Sequence, residues 1–101
     1  MQKIRITFSK AGLLAYISHL DMLRLFERAC RRARLPLKLT EGFNPHPKIS
    51  IIPAVAVGVI HDNLTADVVL TRRMEPAEIL KRLTAVLPDM IVLKEAQELD
   101  R

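Results

Sequence analysis

The sequence predicts an α+β domain, one antiparallel sheet carrying two helices in the order β-α-β-β-α-β. Three observations predict it. Residues 3–9 alternate polar and apolar, the period of a strand with one buried face. Two stretches, opening at Ser18 and Pro76, repeat apolar residues at helical spacing and are each closed by a proline, Pro36 and Pro88. β-branched runs fill the intervals.

In the first strand Ile4, Ile6 and Phe8 share one face, and Lys3, Arg5, Thr7 and Ser9 share the other. Ser9-Lys10-Ala11-Gly12 reads as the turn that breaks it. Ser18 precedes the first helix, and Asp21 three residues on makes a capping box with Asp in place of Glu. On a helical wheel Leu23, Phe26, Cys30 and Ala33 fall on one side, widened by Met22, Leu25 and Ala29. Arg24, Arg28, Arg31 and Arg32 fall on the other.

Ile49 to Val59 is a β-branched run whose Pro53 requires an edge strand or a bulge. Gly58 and His61-Asp62-Asn63 mark a turn before a third strand, Thr65 to Thr71. The second helix starts at Pro76 and carries Ile79, Leu80, Leu83, Val86 and Leu87. Met90 to Ala96 is the last strand.

This order is the ferredoxin-like split βαβ pattern. Right-handed crossovers put both helices on one face of a four-stranded antiparallel sheet, and the resemblance to that fold implies the spatial strand order 4-1-3-2. The opposite face carries Lys3, Arg5 and Thr7 beside Asp67, Val69 and Thr71, with Ile52 and Val92 near them. That mixture is too apolar for a fully solvated face, so something is expected to cover part of it.

At 101 residues the chain is read as a single domain, 1–101, with room for a core. Half of its residues are hydrophobic, which excludes disorder. No apolar run approaches the ~18 residues of a membrane span, and Met1-Gln2-Lys3-Ile4-Arg5 lacks the apolar block of a signal peptide. The single cysteine, Cys30, excludes an internal disulfide and fits a reducing cytoplasm. The net charge of +5 is uneven: residues 1–48 carry +7 and residues 49–101 carry −2. Such asymmetry points to a polyanionic partner.

Several ordered motifs lie along the chain: Phe8-Ser9-Lys10 with Gly12, Tyr16-Ile17-Ser18-His19-Leu20-Asp21, Phe26-Glu27-Arg28-Ala29, Leu35-Pro36-Leu37, Glu41-Gly42-Phe43-Asn44-Pro45-His46-Pro47-Lys48-Ile49-Ser50, and Val57-Gly58. Together they resemble the radical-SAM-linked family of uncharacterised bacterial proteins called DUF2344. Members are about twice as long as this chain, so the resemblance implies the N-terminal half of a longer domain. It also implies a radical SAM protein as partner and a setting near RNA processing. With one cysteine this chain cannot itself hold a radical SAM cluster, so the implied role is accessory or substrate-presenting, with no cofactor of its own.

Two candidate surfaces stand out. The first is the basic helix face of Arg24, Arg28 and Arg31, flanked by Arg32 and Arg34, whose guanidinium forks suit phosphate oxygens. Its plain alternative is a solvated face with Glu27–Arg31 as an i,i+4 pair. The second is the loop from Gly42 to Lys48. Pro45 and Pro47 stiffen it around His46, and Asn44, His46 and Lys48 can grip a phosphate, a base edge or an acidic peptide. Its plain alternative is a rigid turn in which Asn44 caps local backbone groups.

Ser18, His19 and Asp21 are weaker candidates, because Ser18 as N-cap and Asp21 in the first turn explain themselves structurally. Lys10 can meet a phosphate from its turn, although the glycines of a phosphate loop are missing. The histidines and Cys30 show no metal-ligand spacing.

The expected function is a non-catalytic module binding RNA or another polyanion for a radical SAM partner, without a membrane. The alternatives are a protein-docking domain using the open sheet face and an enzyme with His46 as acid or base.

Overall fold

In the computed structural model, residues 1–10, 16–52 and 61–99 are described, with the backbone alone for 61–63. Alternation in β1 (Gln2–Lys10) buries Ile4, Ile6 and Phe8 completely. Helix α1 (His19–Arg32) lays Met22, Phe26, Ala29 and Cys30 onto them, and the Phe8 and Phe26 rings meet at 4.7 Å with a tilt of 48°. Strands β2 (Ile49–Ile52) and β3 (His61–Leu70) follow, then α2 (Pro76–Thr84) and β4 (Ile91–Leu99). Ile79 and Leu83 of α2 join the same core, so both helices cover one face of the sheet.

All the strand pairs are antiparallel, in the order β2-β3-β1-β4, which is the expected ferredoxin-like arrangement with β2 at an edge. On the helix-free face Lys3 lies opposite Val69, Arg5 opposite Asp67, and Thr7 opposite Thr65. Ser50 and Ile52 extend that face across β2. In β4 the register shifts between the partners of Thr7 and Phe8, Glu95 and Leu93. This bulge turns Leu93 and Ala96 to the same side, against the core.

The local reading needs correcting at the ends of elements, and β4 runs on to Leu99 instead of ending at Ala96. Ser9 and Lys10 are not a turn but the end of β1, because Lys10 pairs with both His61 and Ile91. For the same reason His61 to Asn63 open β3 instead of forming a turn: cross-strand pairing overrides the turn preference of Asp and Asn. Thr71 lies just past β3, where its N–H and hydroxyl both donate to the Pro36 carbonyl. The expectations for Ala11, Gly12, Pro53 and Val57-Gly58 lie outside the described residues.

Helix α1 stops at Arg32, before Pro36 acts. Ala33 is the C-cap, Arg34 takes a left-handed φ of 59°, and Leu35 N–H donates to Cys30 O while Arg34 N–H donates to Arg31 O. This is the Schellman pattern, with Arg34 where glycine is usual and Leu35 buried behind it. At the other end of the sheet the buried Gln2 amide exchanges two hydrogen bonds with the Met74 backbone, tying β1 to the approach to α2.

Candidate functional site

The proline-rich loop is a short hairpin, built because two segments after α1 fold back on each other. Leu39 bridges Pro47, Thr40 N–H donates to His46 O at 2.8 Å, and His46 N–H donates to Thr40 Oγ1 at 3.2 Å. Lys38 N–H donates to Val69 O while Val69 N–H donates to Lys48 O, so the hairpin is stitched to the edge of β3. Pro47 is buried as its anchor, and Glu41 to His46 are exposed. At its tip Gly42 takes a φ of 135°, and Phe43 is fully exposed. Asn44 is exposed, and no hydrogen bond joins its side chain to the backbone among the described residues, contrary to the plain alternative.

Where the hairpin meets the helix-free face it borders an open cleft of about 480 Å³. Lys3, Asp67 and Val69 of the sheet line it with Ser50 and Ile52 of β2 and with Thr40, His46, Pro47 and Lys48. Asp67 Oδ1 and Oδ2 accept from Arg5 Nε and Nη2 at 2.8 and 2.9 Å. Those hydrogen bonds hold its carboxyl below the usual range against the opposing effect of burial, and the charges of Arg5 and Lys3 add to them. His46 Nδ1 lies 3.3 Å from Pro47 O, and no carboxylate is bonded to the ring among the described residues.

The arginine stripe lies on the other side of the molecule. α1 packs its buried residues on the helix-bearing face of the sheet, so Arg24, Arg28 and Arg31 point away from the cleft. The structure therefore does not bring the two candidate surfaces together. Arg24 and Arg28 border a second depression of about 330 Å³ with Ile17, Asp21 and Leu25. The Glu27–Arg31 pair does not form within 4.0 Å; the nearest ion pair on this face is Arg24 to Asp21, at 3.9 Å between two exposed side chains. Arg28, Arg31 and Arg32 have no ion-pair partner among the described residues.

Ser18 Oγ accepts from Asp21 N–H at 3.1 Å, which is the N-cap role. No hydrogen bond joins His19 to Ser18 or Asp21 in the structure. Lys10 is only 2% exposed, because it shares the inward parity of Ile4, Ile6 and Phe8, and does not offer a solvent-facing ammonium. The Cys30 thiol is pushed up to about 12 by burial and then by Glu27, so it stays protonated and inert at neutral pH. Among the described residues no cluster of three or more His, Cys, Asp or Glu side chains could hold a metal, and no helix is long and apolar enough to cross a membrane.

Sequence reasoning places Lys3, Ile52, Asp67 and Val69 on one face but misses their convergence with Thr40 and Ser50, and it misses Phe43 as an exposed tip. The signal for Phe43 is present: a large apolar residue inside a run of turn formers.

No curated protein and no solved structure matches the chain. A profile of the family described as an uncharacterized protein conserved in bacteria (DUF2344) matches residues 3–101, and the chain belongs to that family.

Proposed function

We propose that this domain is a non-catalytic recognition module that binds RNA on behalf of a radical SAM protein. The observation that carries the reading is the outer face of α1. Three exposed arginines there, Arg28, Arg31 and Arg32, have no ion-pair partner among the described residues. Unpaired guanidinium forks are suited to successive phosphates. The +7 charge of residues 1–48 supports it, and the sequence resemblance supplies the radical SAM partner.

The contact is electrostatic and shape-based. Phe8 and Phe26 are spent on the core, so the sheet offers no platform of stacked aromatics. The hairpin, with Phe43, Asn44 and His46, is a second RNA contact separate from α1. Ultraviolet crosslinking of the chain to cellular RNA, followed by peptide mapping, tests this. Crosslinks concentrated on α1 and the hairpin are expected; crosslinks spread without preference, or none, contradict it.

A second reading, protein docking on the helix-free face, is favoured by Ile52 and Val92, which are 52% and 55% exposed there. Partner binding that persists in high salt, with no RNA bound, selects it.

A further inference from the structure

The cleft beside the hairpin has a chemistry that the α1 face lacks. Lys3 and Lys48 line it with His46, and neither lysine has an ion-pair partner among the described residues. The one carboxylate in its wall among the described residues, Asp67, feels the charge of Lys3 but is clasped by Arg5, so the two lysines outweigh it. The lining is therefore cationic and favours an anion.

An anion alone does not account for the rest. A carboxylate offers about four lone-pair sites. Arg5 uses two of them, so Asp67 can still accept from a ligand hydroxyl or N–H. Ile52 and Val69 add an apolar wall, and about 480 Å³ lies within the range of about 300–1,000 Å³ typical of small-molecule sites. The lining asks for one ligand with an anionic end, hydrogen-bond donors and a flat apolar part. An inorganic phosphate has only the first, and an acidic peptide would set further carboxylates against Asp67.

We propose that the cleft binds a mononucleotide unit: phosphate toward Lys3, Lys48 and His46, sugar or base donors toward Asp67, and a ring against Ile52 and Val69. The choice of a nucleotide rests on the recognition reading above, but the site lies on the other side of the sheet from α1 and acts independently of it. A free nucleotide and the phosphorylated end of an RNA present the same chemistry.

The test is an amide NMR titration of the full chain with uridine 5′-monophosphate, uridine, inorganic phosphate and a short 5′-phosphorylated oligouridylate. Saturable shifts at Thr40, His46, Lys48 and Ser50 are expected, with a nucleotide binding more tightly than uridine or phosphate. Lys3→Gln with Lys48→Gln should weaken binding by about tenfold or more, through loss of two charged contacts. Both lysines are exposed, so the fold is retained, and Ser50→Ala provides a second variant with a smaller loss. Replacing Arg24, Arg28 and Arg31 by Gln should leave mononucleotide binding unchanged.

Tighter binding of the monophosphate assigns the site to free nucleotides, and tighter binding of the oligonucleotide assigns it to RNA ends. The proposal is overturned if no ligand saturates these residues, if phosphate binds as tightly as the nucleotide, or if the arginine variant rather than the lysine variant abolishes binding. A silent cleft with intact binding of long RNA removes this site alone. Cleft binding without any binding of long RNA removes the α1 reading alone.

Discussion

Asp67 connects the fold to the cleft at the level of a single side chain. Its cross-strand fork with Arg5 is two charge-assisted hydrogen bonds, with the carboxylate side chain 8% exposed and the guanidinium 41% exposed. The folded state lowers the Asp67 pKa. Its stabilisation is therefore complete above the unfolded value of about 3.9 and is lost as pH falls through the folded value. Asp67→Asn should destabilise the domain at neutral pH by about 1.5 kcal/mol, the lower end for a charged hydrogen bond, because the exposed half of Arg5 can be resolvated. The difference between variant and wild type should shrink in acid below the usual carboxylate range. Urea unfolding at neutral and acid pH measures both effects, and an acid-independent difference would contradict them. Both residues can be placed on one face from the alternation of the sequence, but their direct pairing depends on the register of β1 against β3, which no local pattern fixes.

Helix α1 shows what periodicity delivers and where it stops. Its N-cap, its buried stripe and its basic face follow from spacings of three and four residues, a signal contained within the element. Its end does not: Pro36 suggests the limit, yet the chain leaves the helix earlier through the left-handed Arg34. A left-handed residue with a side chain costs about 1–2 kcal/mol, a penalty that glycine avoids. Arg34→Gly should therefore raise stability by about 0.5–1 kcal/mol after the larger chain entropy of glycine is allowed for. Thermal unfolding of the variant measures it, and a lowered midpoint would mean that the Arg34 side chain contributes more than its backbone strain removes. The hairpin is legible only as a stiff loop. Its shape comes from Lys38 and Lys48 bonding to Val69, far along the chain, and the cleft exists only once those bonds form.

Across the whole molecule the strand order was legible because the β-α-β-β-α-β element order matches the ferredoxin-like fold, whose strand order it then shares. The ends of strands were less legible: Lys10 and His61 look like turn material and become strand by pairing with each other. The layered architecture then separates the basic half of the sequence into two surfaces, arginines outside α1 and lysines beside the hairpin. The most direct test of RNA recognition by α1 is the salt dependence of single-stranded RNA binding by the wild-type chain and by the Arg28→Gln, Arg31→Gln, Arg32→Gln variant. At about 0.7 per phosphate neutralised, the variant should bind more weakly and its log–log salt slope should fall by about 2. Equal affinity and an equal slope in the two proteins would contradict RNA binding through α1.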